Sequence, residues 1–100
     1  MQISIHERVL EKLTSKHRVT ADEVRQCFEN RDGGLLEDDR EEHRTDPPTQ
    51  WFIAETNQCR KLKIIFIQRQ ARGVVRVDVR SAYEPNAEEL RIYEKYGRGS

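Results

Sequence analysis

Lys61-Leu62-Lys63-Ile64-Ile65-Phe66-Ile67-Gln68 and Val74-Val75-Arg76-Val77-Asp78-Val79-Arg80-Ser81 are two runs rich in β-branched residues, joined by a short stretch ending in Gly73. In the second run Val75, Val77 and Val79 point one way and Arg76, Asp78 and Arg80 the other, which is the period of a half-buried strand. Lys61 and Lys63 alternate likewise with Leu62 and Ile64. The pair therefore predicts an antiparallel hairpin that turns at Gln70–Gly73. Its basic side chains are expected on one wet face, with the other face packed on helices.

The flanking sequence extends the sheet. Trp51–Thr56 is a third apolar run, and Asn57-Gln58 is a short turn into Lys61, so the three runs form a meander. Asp32-Gly33-Gly34 is a turn signal releasing a short strand near Leu35-Leu36-Glu37, while Arg40–Gln50, with Pro47-Pro48, is expected to be a loop.

Three helices are expected from their starts. Ser4 with Glu7, Thr20 with Glu23 and Asn86 with Glu89 each have the spacing of a reciprocal cap. Ile5, Val9, Leu10 and Leu13 would form the apolar stripe of the first helix. Val19 and Val24 would staple the second, whose buried face continues through Cys27 and Phe28. Leu90, Tyr93 and Tyr96 line the third, with Gly97 as its C′ residue. The expected fold is α+β: two N-terminal helices, an antiparallel meander of three to four strands, and a C-terminal helix. Residues 1–97 are read as one domain and residues 98–100 as a tail of cloning-remnant character.

Composition narrows the function. One hundred residues, 36% charged and 35% hydrophobic, leave little room for a large cofactor cleft beside a stable core, so chemistry is expected on a surface. Met1-Gln2-Ile3-Ser4 lacks the basic start and apolar stretch of a signal peptide, and no run has the length of a membrane span, so a cytoplasmic location is expected. Cys27 and Cys59 are expected to be free thiols. Residues 1–50 carry 8 Lys/Arg against 12 Asp/Glu, and residues 51–100 carry 10 against 6, so a neutral chain has halves of opposite sign.

Candidate chemistry falls into three groups. His6, His17 and His43 form no His-x₃-His pair and no dense Cys/His group, so no metal site is expected. His43 stands in Glu41-Glu42-His43-Arg44, where a carboxylate neighbour suits an imidazole to take or give a proton; the plainer reading is a solvated charge run. Arg60, Lys61, Lys63, Arg76 and Arg80 on a strand face can neutralise phosphates and stabilise a phosphorane, or can simply pair with acids across the sheet. Tyr83 lies at the lip of that face, where a phenol could stack on a base or move a proton. Walker, G-x-G-x-x-G, G-x-S-x-G and His-Glu-x-x-His motifs are absent, and no cofactor is expected.

Four segments, in order, resemble the BrnT-type toxin family. Lys16-His17-Arg18-Val19-Thr20-Ala21-Asp22-Glu23-Val24 is similar to its Lys-His-Gly-Val-Ser-x-x-Glu-Ala, and Glu42-His43-Arg44 to its Glu-x-Arg. Arg60–Ile67 resembles its Gly-Arg-x-Leu-x-Val-Val-Phe strand, and Ser81-Ala82-Tyr83 through Glu89 and Tyr93 its closing Ser-Ala-Arg, Glu and Tyr-Glu pattern. Tyr83 stands where that pattern has arginine, and Asp78 where it has another. The resemblance implies a RelE-like fold and a metal-independent ribonuclease that inhibits translation, the toxin of a type II toxin–antitoxin pair. It implies RNA and a DNA-binding antitoxin as partners, in a homodimer or toxin–antitoxin hetero-oligomer. With the residue reading it nominates Glu42, His43, Arg80 and Tyr83 as catalytic, and His17, Arg44, Arg60, Lys61, Lys63 and Arg76 as RNA-binding.

Two alternatives stand beside it. One is a non-catalytic RNA- or protein-binding module on the same fold, favoured by the acidic Glu37–Glu42 stretch and Asp78, which would repel phosphate. The other follows from Glu41–Thr49 and Ala82–Glu89, which resemble short bacterial proteins labelled ADP-ribosyl-(dinitrogen reductase) hydrolase. That activity would need a Mg²⁺-binding carboxylate cluster for which the sequence offers no motif.

Overall fold

The computed structural model describes residues 1–38 and 45–97. Its elements run β1 (Gln2–Ile5), α1 (Glu7–Lys16), α2 (Ala21–Asn30), β2 (Leu36–Glu37), β3 (Thr49–Glu55), β4 (Lys61–Ala71), β5 (Val74–Tyr83) and α3 (Ala87–Tyr96). The five strands form one mixed sheet in the order β1-β5-β4-β3-β2. The α+β class and the central meander thus agree with the sequence reading, and the strand count exceeds it.

The β4–β5 hairpin is tighter than expected. Ala71 pairs with Val74, and Arg72 and Gly73 alone make the connection, with φ of 52° and 77°. Two successive left-handed residues match the twist of paired strands, and glycine adopts that conformation without a Cβ penalty. Further along, Phe66 faces Val79 and Ile65 faces Ser81, so Arg80 is an extra residue accommodated as a bulge.

The N-terminus departs from expectation. Gln2–Ile5 is a strand, parallel to β5, with Ile3 opposite Val77 and Ile5 opposite Val79. Ser4 therefore does not cap a helix, and Ile5 is not part of the first helical stripe. The N-cap is His6, whose Nδ1 accepts from the Arg8 N–H at 3.1 Å. The Ser4–Glu7 spacing imitated a cap, while the parallel pairing that decides the matter comes from residues more than seventy positions away.

Helices α1 and α2 cover one sheet face. Phe52 and Phe66 lie fully buried there and meet Phe28 of α2 edge-on, with ring centroids 4.9 and 5.4 Å away. Val19 and Val24 bracket the α2 cap and are both fully buried, as the staple predicts. Helix α3 lies against part of the opposite face, where Tyr93 packs 5.7 Å from Trp51. That face was expected to be wet, and the cover changes it: Lys63 is only 8% exposed.

Glycines let α3 approach. A Cβ on Gly33 would lie 2.4 Å from the Tyr93 hydroxyl, which donates to the Gly34 carbonyl at 2.8 Å; the Gly34 N–H donates to the Gly97 carbonyl, also at 2.8 Å. Gly97 ends α3 at φ −86°, in the right-handed region, so it is not the left-handed C′ glycine the sequence suggests. Its lack of a Cβ serves contact with Tyr93 instead.

Both cysteines are free. Burial first, reinforced by the Glu23 charge, pushes the Cys27 thiol up to about 12, whereas Cys59 is exposed in the β3–β4 turn. A thiol that stays protonated inside a core is a poor nucleophile. Thiol titration of the native protein at mildly alkaline pH is expected to modify Cys59 alone, with Cys27 reacting only in denaturant; two equivalents reacting natively would contradict this packing.

Candidate functional site

The two helix caps do more than start helices. At α2, Thr20 Oγ1 accepts from the Glu23 N–H and Glu23 Oε1 accepts from the Thr20 N–H, both at 3.1 Å. At α3, Asn86 and Glu89 repeat the arrangement at 2.8 and 3.0 Å. Each box glutamate also receives a basic side chain at or near the start of β4.

Arg60 meets Glu23. Its Nη1 lies 3.0 Å from Glu23 Oε2 and donates to the Arg18 carbonyl at 2.8 Å, its Nη2 donates to the His17 carbonyl at 3.2 Å, and its Nε donates to Glu84 at 2.8 Å. This planar fork thus ties the α1–α2 joint to the β5–α3 corner. Arg18 sits in the left-handed region at φ 54°, and the chain then turns so that the Val19 N–H returns to the Leu13 carbonyl.

Lys63 meets Glu89. Its Nζ is 2.7 Å from Glu89 Oε2, and the same oxygen accepts from the Tyr83 hydroxyl at 2.9 Å. The ammonium also lies 4.3 Å from the Trp51 ring centroid and 5.8 Å from that of Tyr83, where ring quadrupoles favour a cation. The Tyr83 ring also meets His17, ring centroids 5.5 Å apart and tilted by 37°. His17 caps the C-terminus of α1, so the α1 end, the β5 end and the α3 start converge on an imidazole, a phenol, a carboxylate and an ammonium.

The nominated residues separate accordingly. His17, Tyr83, Arg60 and Lys63 come together. Arg80 is exposed at the bulge three residues before Tyr83, and Lys61 is exposed opposite Glu55. Arg76 belongs to the other end of the sheet, where it and Arg69 flank Asp78 at 3.1 and 3.4 Å; along β5 that is about 23 Å from Tyr83 at ~3.3 Å per residue. Glu42, His43 and Arg44 lie outside the described residues. Tyr93, also implicated by the resemblance, is 2% exposed and serves packing.

Sequence reasoning treated Glu23 and Glu89 as caps only and did not single out Glu84. The signal was available at the first two: a box glutamate has a second oxygen to share. Among the described residues no group of three or more His, Cys, Asp or Glu is arranged to hold a metal ion, and no helix is long and apolar enough to cross a membrane.

Burial acts to raise the Glu89 carboxyl, but hydrogen bonds from Lys63, the Asn86 N–H and Tyr83, with the Lys63 charge, outweigh it and hold the group below the ordinary 4.5. Burial also acts to raise Glu23, and the Thr20 N–H and Arg60 outweigh it in the same way. A carboxyl depressed in the folded state binds protons more readily when unfolded. Its contribution to stability is therefore complete above the unfolded value and is lost as pH falls through the depressed one. Urea denaturation is expected to show stability falling below about pH 4.5, with a shallower fall in Glu23→Gln; an unaltered slope would contradict the assignment.

No protein-family model matches the chain, and no curated protein matches it significantly.

Proposed function

We propose that the chain is a RelE/BrnT-like toxin that cleaves RNA without a metal, using His17 and Tyr83 as its reacting pair. The observation carrying this reading is the His17–Tyr83 contact, backed by a phenol already hydrogen-bonded to the Glu89 carboxylate. The resemblance gains support at Arg18, which holds the left-handed backbone at the position where the family pattern has glycine.

The reaction is an internal displacement. His17 takes the ribose 2′-hydroxyl proton as that oxygen bonds to phosphorus. The bond from phosphorus to the 5′-oxygen breaks, and Tyr83 protonates the leaving oxygen by turning its O–H from Glu89 toward it, with the nearby Lys63 ammonium offsetting the phenolate charge. The products are a 2′,3′-cyclic phosphate and a 5′-hydroxyl end, and solvent carries the proton from His17 back to Tyr83. Exposed Arg80, three residues before Tyr83 on β5, would supply positive charge for the phosphate. Arg60 and Lys63 have their charges met by Glu23, Glu84 and Glu89, so they order the site instead of gripping RNA. The antitoxin implied by the resemblance would cover this corner.

Incubating the purified protein with a mixed-sequence RNA in the presence of EDTA tests the reading. Cleavage leaving cyclic-phosphate ends is expected, reduced roughly 10²–10⁴-fold in His17→Ala and Tyr83→Phe. Equal cleavage by both variants would remove the assignment.

A second reading is a binding module that holds RNA or protein and does not cut. Carboxylates meet Arg60 and Lys63, and a single one, Asp78, is shared by Arg69 and Arg76, which lowers the charge left to stabilise a reacting phosphate and favours it. RNA retention without cleavage in the same assay would select it.

A further inference from the structure

We propose that the groove between α3 and the β2–β3 edge docks a basic, amphipathic segment of a partner protein. The groove encloses about 630 Å³ and is lined by Leu36, Glu37, Asp38, Trp51, Lys63, Ile92 and Tyr96. Ile92 and Tyr96 stand one helical turn apart on α3, 37% and 60% exposed, and are two of the four large hydrophobics exposed among the described residues. Apolar side chains gathered in a concavity with a polar rim mark an interaction surface more often than scattered ones do.

Charge selects the occupant. Glu37 lines the strand side and is exposed to solvent. Lys63, the cation in the lining, is committed to Glu89 at 2.7 Å. Lys95 lies 5.3 Å from the Tyr96 ring centroid and is not part of the lining. A segment that seats apolar side chains on Leu36, Ile92 and Tyr96 and turns Lys or Arg toward Glu37 meets both the apolar lining and the acidic strand side. An RNA phosphate would meet Glu37, and a second copy of the chain would bring a second acidic strand edge against the first. The groove adjoins the candidate site at Lys63, but neither His17 nor Tyr83 lines it, so loss of cleavage in their variants would leave the docking test unaffected.

The probe is a labelled helical peptide of about 14 residues, about four turns, with leucines on one face and lysines on the rest. Its controls are the same peptide with glutamates for lysines, and an oligouridine. Fluorescence titration and NMR of the full chain are expected to show the lysine peptide binding at least about tenfold more tightly than the glutamate peptide, a difference of ~1.4 kcal/mol. Shifts should appear at the Trp51 indole, Ile92 and Tyr96. Tyr96→Ser and Glu37→Lys should each weaken binding about tenfold while preserving the dispersed spectrum of the fold. The inference is overturned by equal binding of the two peptides, by oligouridine shifting the same residues, or by concentration-dependent dimerisation through Tyr96. Through-space contacts from residues 39–44 to Ile92 or Tyr96 in the free protein would also overturn it.

Discussion

Glu89→Ala is expected to destabilise the protein by about 3–5 kcal/mol, the cost of leaving one member of a buried ion pair uncompensated. Lys63 has an 11% exposed side chain and Glu89 one 17% exposed, so neither recovers full hydration when its partner is removed. The Asn86 N–H and the Tyr83 hydroxyl also lose their acceptor, which adds the loss of half a capping box. For a domain of this size each kcal/mol lowers the melting temperature by about 4–8 °C, so the variant should be largely unfolded at a temperature where the parent is native. Glu89→Gln separates the parts, because its amide oxygen can still serve the cap or the phenol while the charge is gone; a smaller loss is expected. Lys63→Met combined with Glu89→Gln removes both charges and should recover most of the stability, since apolar replacement of a buried pair is often neutral or favourable. Urea denaturation reads all three. A loss below about 1 kcal/mol in Glu89→Ala would put Lys63 at the level of a surface pair.

Gly97→Ala is expected to be the most damaging single methyl addition, at about 1–3 kcal/mol for overpacking a filled site. Its backbone, at φ −86° and ψ −30°, suits alanine, so the whole cost is steric. The new Cβ would lie 2.4 and 2.5 Å from ring carbons of Tyr93, a side chain held by Trp51 on one side and by its hydroxyl bond to Gly34 on the other. Gly33→Ala offers a contrast, because there the closest atom is the Tyr93 hydroxyl oxygen. Tyr93→Phe should therefore partly rescue Gly33→Ala and leave Gly97→Ala unrescued, a coupling that a double-mutant cycle measures directly. Equal rescue of both would mean that the ring moves as a whole and that the glycines are not independent contacts.

Local signals were legible where the cause is local. The Thr20–Glu23 and Asn86–Glu89 boxes, the Val19–Val24 staple and the period-two pattern of Val75, Val77 and Val79 act within a few residues, and each appears as read. Ser4–Glu7 has the same spacing and failed, because Ile3 and Ile5 gain more by lying beside Val77 and Val79 than Ser4 gains by capping. The candidate site was half legible. His17 and Tyr83 could be nominated separately, but their contact lies where Arg60 joins the end of α1, through the His17 carbonyl, to Glu84 just beyond β5.

The amino-acid sequence by itself determined the starts of α2 and α3, the meander and the opposite-sided patterning of β5, since these follow from backbone capping and from the alternation of side chains along a strand. Tertiary structure alone decided the parallel β1, the burial of Lys63 and the conversion of capping glutamates into partners for Arg60 and Lys63. The physical reason is that a charge has no sign-specific partner until folding brings one within a few ångströms, and at that distance burial and pairing set its role together.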